Sequence, residues 1–382
     1  MTDSFGINVN NKLTDNEVQM IADAGFCWVR IELTWASIEK TKGNYDFENS
    51  GYDRLNEALK EKGIRPYYVL AYENRLYEQE RAIVTKEGRE AFNNFVKAAA
   101  RRYGGQSAIW EVWNEPNIGK FWNNQPSDED YFLLTAKISP TIKKYDKTAK
   151  VVAPALAGIN QDSLAWLKSI LNEGVLKYVD AISVHPYQYG KPENVIDDYS
   201  KLRKLINSSS EKDIPIISGE WGYSMAQSEV QEPVGEMKQA EYLSRMYLIN
   251  AQQDIPISIW YNWRNDGINP QDREQNFGIT SYYHTSKLSF LSAQTLSKTL
   301  KGFKYNKRIK TNRTDDYVLE FVNAKGQKVI AFWTTSANHG IKLKLNENNG
   351  QFVTMLGIKY GLRWDKELNL NISSSPNYLV IK

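Results

Sequence analysis

The 382-residue sequence is poor in the side chains that bind metals or close disulfides. Its one cysteine, Cys27, excludes an intramolecular disulfide and a cysteine metal cluster, and says little about compartment. Only three histidines occur, His185, His284 and His339, and none stands at metal-ligand spacing from another. A metal-dependent barrel hydrolase, with His-x-His after its first strand, is therefore disfavoured. No run of about 18 apolar residues is present, so no membrane-spanning helix is expected. The opening MTDSFGINV has no basic segment followed by an apolar one, so no signal peptide is read there. A cytoplasmic protein and a secreted or periplasmic one whose leader has been removed both fit. Charge of one sign is not in excess either, with 48 Lys and Arg against 45 Asp and Glu. Residues 304–382 carry 13 basic and 6 acidic side chains, but these are scattered through strand-like sequence, which argues against a nucleic-acid partner.

What the chain does have is aromatic residues: 11 Trp, 23 Tyr and 13 Phe, or 12%, more than a core of this size ordinarily needs. The 41% hydrophobic and 24% charged fractions are ordinary globular usage, and the length suits one large and one small domain.

From the N-terminus to about residue 303, short β-rich runs alternate with amphipathic helical ones. The strand candidates are residues 4–9, 27–33, 64–71, 109–114, 150–157, 179–186, 214–221 and 257–263. Asp, Thr or Ser stands at many helix starts, and Gly25, Gly63, Gly104 and Gly302 stand where helices should end. Eight β/α units in this length predict a (β/α)8 barrel over residues 1–303. A doubly wound open sheet is the alternative, but no glycine-rich phosphate loop follows an early strand, and the polar chemistry sits at the C-terminal ends of many strands. After residue 303 the runs YVLEFVNA, KVIAFWTT, GIKLKLNE, FVTMLGIKY and NYLVIK, broken by turn signals, predict a small all-β sandwich over 304–382, an ancillary domain.

The strongest chemical signal is IWEVWNEPN, in which Asn114 and Glu115 end the fourth strand. Glu220 ends the seventh strand in IISGEWGYS. On a barrel those two strand ends face one another across the mouth, and paired carboxylates there are what a glycosidase needs, one to protonate the leaving oxygen and one to attack the anomeric carbon. Glu111 shares the inward parity of Glu115 at greater depth, where an ion pair, plausibly with Arg30, is its expected state. His284 and His339 have no supporting context and are expected at the surface.

On these motifs the sequence resembles the clan A glycoside hydrolases, with an acid/base Glu after Asn on strand four and a nucleophile Glu on strand seven. The run WVRIELTWASIEKTKGNYDF (28–47) is similar to the second-strand region of family 39 and of its cellulase-like, family 5-type relatives, which include glycosidases that cut bacterial exopolysaccharides. The resemblance covers the barrel and not the C-terminal part. It implies Glu115 as acid/base and Glu220 as nucleophile of a retaining double displacement. It further implies that Asn114 binds the sugar 2-hydroxyl, that Arg30 holds Glu220 ionised, and that Tyr187 positions Glu220. His185 would line the −1 subsite and Trp260 would floor it.

Trp35, Tyr72, Trp122 and Trp221 lie at or just beyond strand ends and are read as sugar platforms; Trp113, Tyr189, Tyr223 and Trp263 lie in comparable places. Trp28, Trp110, Trp166 and Trp333 are expected in the core, although Trp110 also falls near the mouth. The cations Arg75, Lys120, Lys191 and Arg264 in the same loops suggest an anionic polysaccharide, with solvated loop charge as the alternative. Loops 72–86 and 264–286 are expected to wall the site. The expectation is a monomeric retaining β-glycosidase acting inside a polysaccharide, without metal or cofactor. An exo-acting enzyme such as a β-xylosidase and a non-catalytic carbohydrate-binding barrel are the alternatives.

Overall fold

The eight β-rich runs pair in chain order into a closed parallel barrel. Its strands are β1 (Phe5–Asn8), β2 (Trp28–Thr34), β3 (Arg65–Ala71), β4 (Ile109–Val112), β5 (Lys150–Ala157), β6 (Ala181–His185), β7 (Ile216–Trp221) and β8 (Ser258–Trp260). β8 returns to β1 with Phe5 opposite Ser258, which closes the ring. The structure, a computed structural model, describes residues 2–123, 125–227 and 234–382. Among these, no helix is long and apolar enough to cross a membrane.

Strand alternation sorts side chains between two cores. Trp28, Tyr67, Ile109, Val152, Ala181, Ile217 and Ile259 point inward and plug the lower barrel. The residues between them, such as Val29, Ile31, Trp110, Ile182 and Ile216, face the surrounding helices. Burying each such side chain contributes about 1.5–3 kcal/mol. One step above the plug the inward positions become polar: Arg30, Glu111 and His185 are all sealed from solvent.

The helices run back antiparallel to the strands, so their N-termini form the rim of the mouth. Thr14 and Glu17 make a reciprocal capping box, and Thr85, Ser127 and Asn160 each accept from the backbone N–H three residues on. Each cap stabilises its helix start by about 1 kcal/mol and fixes the rim from which the loops spring. One expected helix end differs: Gly104 has φ −66° and Gly105 takes the left-handed conformation at φ 83°. Gly104 is still constrained, because a Cβ there would stand 2.6 Å from the Ala100 carbonyl oxygen.

The C-terminal region is all antiparallel β, with more strands than the five expected. It comprises β9 (Phe303–Arg308), β10 (Asp316–Asn323), β11 (Lys328–Thr334), β12 (His339–Lys344), β13 (Asn349–Val353), β14 (Lys359–Arg363), β15 (Glu367–Ile372) and β16 (Asn377–Ile381). The run FVTMLGIKY splits into β13 and β14 at a turn where the Thr354 N–H donates to the Ile358 carbonyl (2.9 Å) and Gly357 has φ 92°. Six strands form one sheet in the order β14-β13-β16-β11-β10-β9, and β12 and β15 form a separate ribbon. Ile341, Leu343, Leu368, Leu370 and Ile372 of the ribbon pack on Val318, Ile330, Phe332 and Leu379 of the sheet.

The sheet's other face joins the barrel. Leu319, Phe321, Val329, Ala331, Trp333, Val353 and Tyr378 belong to the same apolar core as the barrel helices. Between them lies the helix Glu236–Gln252, in which every residue from Leu243 to Asn250 is buried. Such a helix, covered on all sides, has no solvent face to make polar. Polar pins hold the junction: Arg245 Nε and Trp333 Nε1 both donate to Glu193 Oε1 (2.8 and 2.7 Å), and the Ser374 and Ser375 hydroxyls donate to Glu241 Oε1 (2.9 and 2.6 Å).

Candidate active site

β4 stops at Val112, and the chain turns with Trp113 at φ 66° and Glu115 at φ 47°. Left-handed backbone at two non-glycine residues costs of order 1–2 kcal/mol each. It is held in place because the Trp113 N–H still donates to Leu70 O (3.1 Å) and the Glu115 N–H to Ala155 O (3.2 Å). The turn sets Asn114 and Glu115 over the barrel interior. Ile217 and Gly219 of β7 face the interior, and a register irregularity between Ser218 and Trp221 turns Glu220 to the same side, so that it arrives from across the mouth.

Arg30 ties these strands together. Its Nε donates to Glu111 Oε2 (2.9 Å), Nη1 to Glu220 Oε2 (2.8 Å) and Asn8 Oδ1 (3.0 Å), and Nη2 to Asn114 Oδ1 (2.8 Å). Burial works to lower the proton affinity of Arg30, but Glu111 and Glu220 more than offset it and push it above the usual value. Tyr67 donates to the second oxygen of Glu111 (2.7 Å), so this buried carboxylate is satisfied on both sides. Gly219, just before Glu220, gives the network room: a Cβ there would stand 3.2 Å from both Glu111 Oε1 and the Tyr67 hydroxyl.

Glu220 has a second donor in the Tyr187 hydroxyl (2.7 Å). Burial first, and Glu220 next, hold the Tyr187 hydroxyl well above its usual titration range, so it keeps its proton and donates. His185 lies with Nε2 3.3 Å from Arg30 Nη2 and Nδ1 2.9 Å from Glu115 Oε1. Arginine can only donate, so Nε2 accepts and the imidazole proton sits on Nδ1, directed at Glu115. One ligand atom each from Glu115, His185 and Glu220 lies within 4.8 Å of the others. Such a trio has the donor set for a cation, but the Arg30 guanidinium on Glu220 and the proton on His185 Nδ1 both oppose one.

Two cavities meet at this point. One of about 1120 Å³ extends over β3 to β7 and is lined by Tyr72, Asn114, Glu115, Phe121, His185, Tyr187, Tyr189, Arg273 and Phe277, among others. A second of about 480 Å³ lies over β8, β1 and β2 and is lined by Asn8, Asn10, Lys12, Asn262, Trp263, Arg264 and Asp266, among others. Glu32, Glu220 and Tyr261 line both, so the two form one groove across the mouth with the carboxylates near its middle.

Several expected platforms are elsewhere. Trp260 pairs with Ile7 and shares its outward face; it is fully buried, packs near Tyr223 (6.2 Å) and lines neither cavity. Tyr261, one residue on, occupies the groove instead, because a single step along a strand end reverses the face. Trp221 pairs with Trp260 and faces outward with it. Trp35 is buried against Tyr77 (5.2 Å) and Trp122 against Trp113 (5.0 Å) and Tyr131 (5.7 Å). Trp113 and Tyr223 are buried as well. Of the four residues first read as platforms, only Tyr72 lines the groove, where its hydroxyl donates to Glu32 Oε1 (2.6 Å). The groove is thus faced mostly by Tyr and Phe together with Trp263, with Trp35, Trp113, Trp122, Trp221 and Trp260 packed behind.

The suggested cations divide similarly. Lys120 and Arg264 line the groove, Lys191 reaches Thr335 instead, and Arg75 lines neither cavity. Arg264 is paired with Glu17 (3.3 Å), Lys201 with Asp198 (3.2 Å) and Arg273 with Glu274 (3.2 Å). His284 is half-exposed beside Arg264 and Glu17, and His339 contacts Asp316. Residues 264–286 supply Arg264, Asp266, Arg273, Glu274 and Phe277 to the walls, whereas of 72–86 only Tyr72 reaches them. Sequence reading missed Tyr261, Phe121, Phe277, Arg273 and Glu32. Glu32 was accessible to the alternation argument, two positions beyond Arg30 on the same face. Burial pushes its carboxyl up, against the pull of the Tyr72 hydroxyl.

The sequence model of the cellulase family, glycosyl hydrolase family 5, matches residues 3–266. The chain belongs to that family. This family 5 chain is also 25% identical over 181 residues to a β-xylosidase of Geobacillus stearothermophilus, a match covering 42% of the chain and 35% of the relative. It is 28% identical over 165 residues to a β-xylosidase of Caldicellulosiruptor saccharolyticus, covering 38% and 32%. The matches thus span about a third of the length of these curated relatives. Among solved structures, a family 39 glycoside hydrolase from the gut symbiont Bacteroides cellulosilyticus is similar at a TM-score of 0.85 and 24% identity, over 99% of this chain and 81% of that one. A family 39 β-xylosidase from Caulobacter crescentus gives 0.73 at 16% identity, over 99% and 96%. A family 30 endoxylanase from Clostridium papyrosolvens gives 0.73 at 13%, also over 99% and 96%. These structural likenesses are of fold, and they extend through the β-sheet region. The resemblance to clan A, family 39 included, holds.

Proposed function

We propose that this family 5 chain is a retaining β-glycosidase that cuts inside a neutral polysaccharide, with Glu220 as nucleophile and Glu115 as acid and base. The observation that carries this reading is the position of the carboxylates: oxygens of Glu115 and Glu220 within 4.8 Å of each other, in a groove that continues on both sides. Retaining enzymes keep the two groups about 5–5.5 Å apart, whereas inversion needs about 6.5–9.5 Å to admit a water. In the first step Glu220 bonds to the anomeric carbon as the glycosidic C–O bond breaks, and Glu115 gives its proton to the departing oxygen. In the second, water attacks the same carbon, Glu115 takes a proton from it, and the Glu220 ester bond breaks. Arg30 and Tyr187 hold Glu220 in position through two oxygens, and His185 Nδ1–H occupies Oε1 of Glu115, which leaves the other oxygen to carry the working proton. Asn114, fixed by Arg30, is placed to bond the sugar 2-hydroxyl.

Three of the groove's cations, Arg264, Lys201 and Arg273, are paired with acids, which favours a neutral chain over the anionic one that loop charge suggests, and Lys120 lies over the Phe121 ring. The test is a panel of xylans, β-glucans, mannans and bacterial exopolysaccharides, with product sizes and the anomer of the first product recorded. Internal cleavage with β-configured products is expected; α-configured first products would overturn the retaining assignment. The β-xylosidase relatives favour a second reading, exo-action on xylo-oligosaccharides, which would release xylose alone.

A further inference from the structure

The β-sheet region carries a groove of its own. The six-stranded sheet is covered on one face by a ribbon of only two strands, so that face is left open toward β13 and β14. There, a cavity of about 490 Å³ is lined by Phe352, Tyr360, Asn338, Asn371, Asn377 and His339, among others. Phe352 and Tyr360 are paired across β13 and β14 and stack at 4.7 Å with 15° between ring planes. Phe352 is buried in the sandwich core, but Tyr360 on the same face is 47% exposed. Around this ring stand amides and hydroxyls rather than charges: Asn338 and Asn371 are exposed, and Thr354 and Ser373 lie beside them. Among the described residues, no carboxylate, lysine or arginine lines the cavity, and His339 is already engaged with Ala337 O (2.8 Å) and Asp316 (3.2 Å).

An apolar ring face flanked by neutral donors and acceptors suits one ligand chemistry in particular, a sugar with a C–H face and hydroxyls at its edge. The position of the groove supports this. Its residues come from the start of β12, the ends of β13 and β15 and the starts of β14 and β16, which is one end of the sandwich. That end touches the loop after β6, where Lys191 Nζ donates to Thr335 Oγ1 (3.2 Å). Two residues before Lys191 stands Tyr189, which lines the catalytic groove and is 81% exposed. This contact therefore joins the loop that carries Tyr189 to the end of the sandwich that carries the Tyr360 groove.

We infer that the Tyr360 groove is a second carbohydrate-binding site, which holds a distal segment of the same neutral polysaccharide that enters the barrel mouth over Tyr189. The inference deepens the proposed function, and rests on it for the identity of the ligand. Two weak contacts on one chain act together, because the first raises the local concentration of the second segment.

The test uses the full chain with Tyr360→Ala and Asn371→Ala, each checked for an unchanged melting temperature. The probes are soluble xylan, mixed-linkage β-glucan and galactomannan in native affinity gels, together with an aryl β-glycoside in solution. Loss of the Tyr360 ring is expected to weaken retention by the preferred polysaccharide, and to raise KM on it, by about three- to tenfold. Turnover of the aryl glycoside should stay unchanged, and Tyr360→Trp should restore retention. Equal retention of wild type and both variants on every polysaccharide overturns the second site. If Tyr360→Ala melts early, Asn371→Ala decides, being exposed and free of side-chain partners in the described structure. The gels read binding without catalysis: a chain that cleaves nothing yet loses retention on Tyr360→Ala would sink the proposed function and keep this site, and cleavage with unaltered retention would do the reverse.

Discussion

Glu220 and Trp221 are neighbours in sequence, as are Trp260 and Tyr261, yet each pair is divided by the barrel wall. Glu220 and Tyr261 face the groove; Trp221 and Trp260 face the helices and pack in the outer core. The inner row carries polar groups whose partners are fixed by Arg30, and the outer row carries bulk. Chemistry and stability are thus written into alternate positions of the same strand ends, and substitutions on the two rows should fail in different ways.

The sharpest break is expected at Glu220→Gln. Turnover should fall by about 10⁴-fold or more, while oligosaccharide binding measured by calorimetry and the melting temperature stay close to wild type. Retained turnover would remove Glu220 from the nucleophile role. Glu115→Gln should cost about 10²–10⁴-fold on the polysaccharide, and far less on an aryl glycoside whose leaving group needs no proton. Comparable losses on good and poor leaving groups would sink the acid assignment.

The comparison itself is tested by Tyr261→Ala against Trp260→Ala. The first should lower kcat/KM by about tenfold with little change in melting, through loss of a ring that faces the sugar. The second should lower stability by about 3–5 kcal/mol in denaturant titration, with kcat/KM per folded molecule nearly preserved. The reverse pattern would mean that the row assignment is inverted.

The smallest effect concerns Glu32, whose carboxyl is pushed up by burial. A folded-state pKa above the unfolded value contributes stability that is fully present below the ordinary carboxylate range and is lost as pH rises through the folded value. Glu32→Gln removes that dependence and keeps a group able to accept from Tyr72. Wild type should therefore lose melting temperature relative to Glu32→Gln as pH rises above the ordinary carboxylate range; parallel curves would remove Glu32 as the source.

The barrel was legible because its signals are periodic: alternating apolar runs and capped helices place all eight strands β1 to β8, with ends off by at most three residues. Asn114, Glu115 and Glu220 stood out because a carboxylate at the end of a buried strand has few structural reasons to be there. The aromatic platforms were harder to read. Parity is reliable inside a strand and lost at its end, where β8 passes from Trp260 to Tyr261; Trp35 opens a single helical turn (Trp35–Ile38) and Trp122 lies in a bend, where strand alternation does not apply. Composition counted the tryptophans correctly but could not say on which side of the wall they stand. In the C-terminal region, β9 (FKYNKR) has only two apolar residues and is fixed by its pairing with β10, whereas β15 (ELNLNI) alternates strictly and was legible in the sequence though not read there.

The helix Glu236–Gln252, buried all round between barrel and sheet, bears on how this protein can be recombined. A cut near residue 303 would uncover the sheet-facing side of this helix, leaving Glu241 without Ser374 and Ser375 and the buried Arg245–Glu193 pair without Trp333. The β-sheet region is then not a cassette to be swapped or fused at will. A catalytic fragment made by truncation at that boundary should be recovered as aggregate.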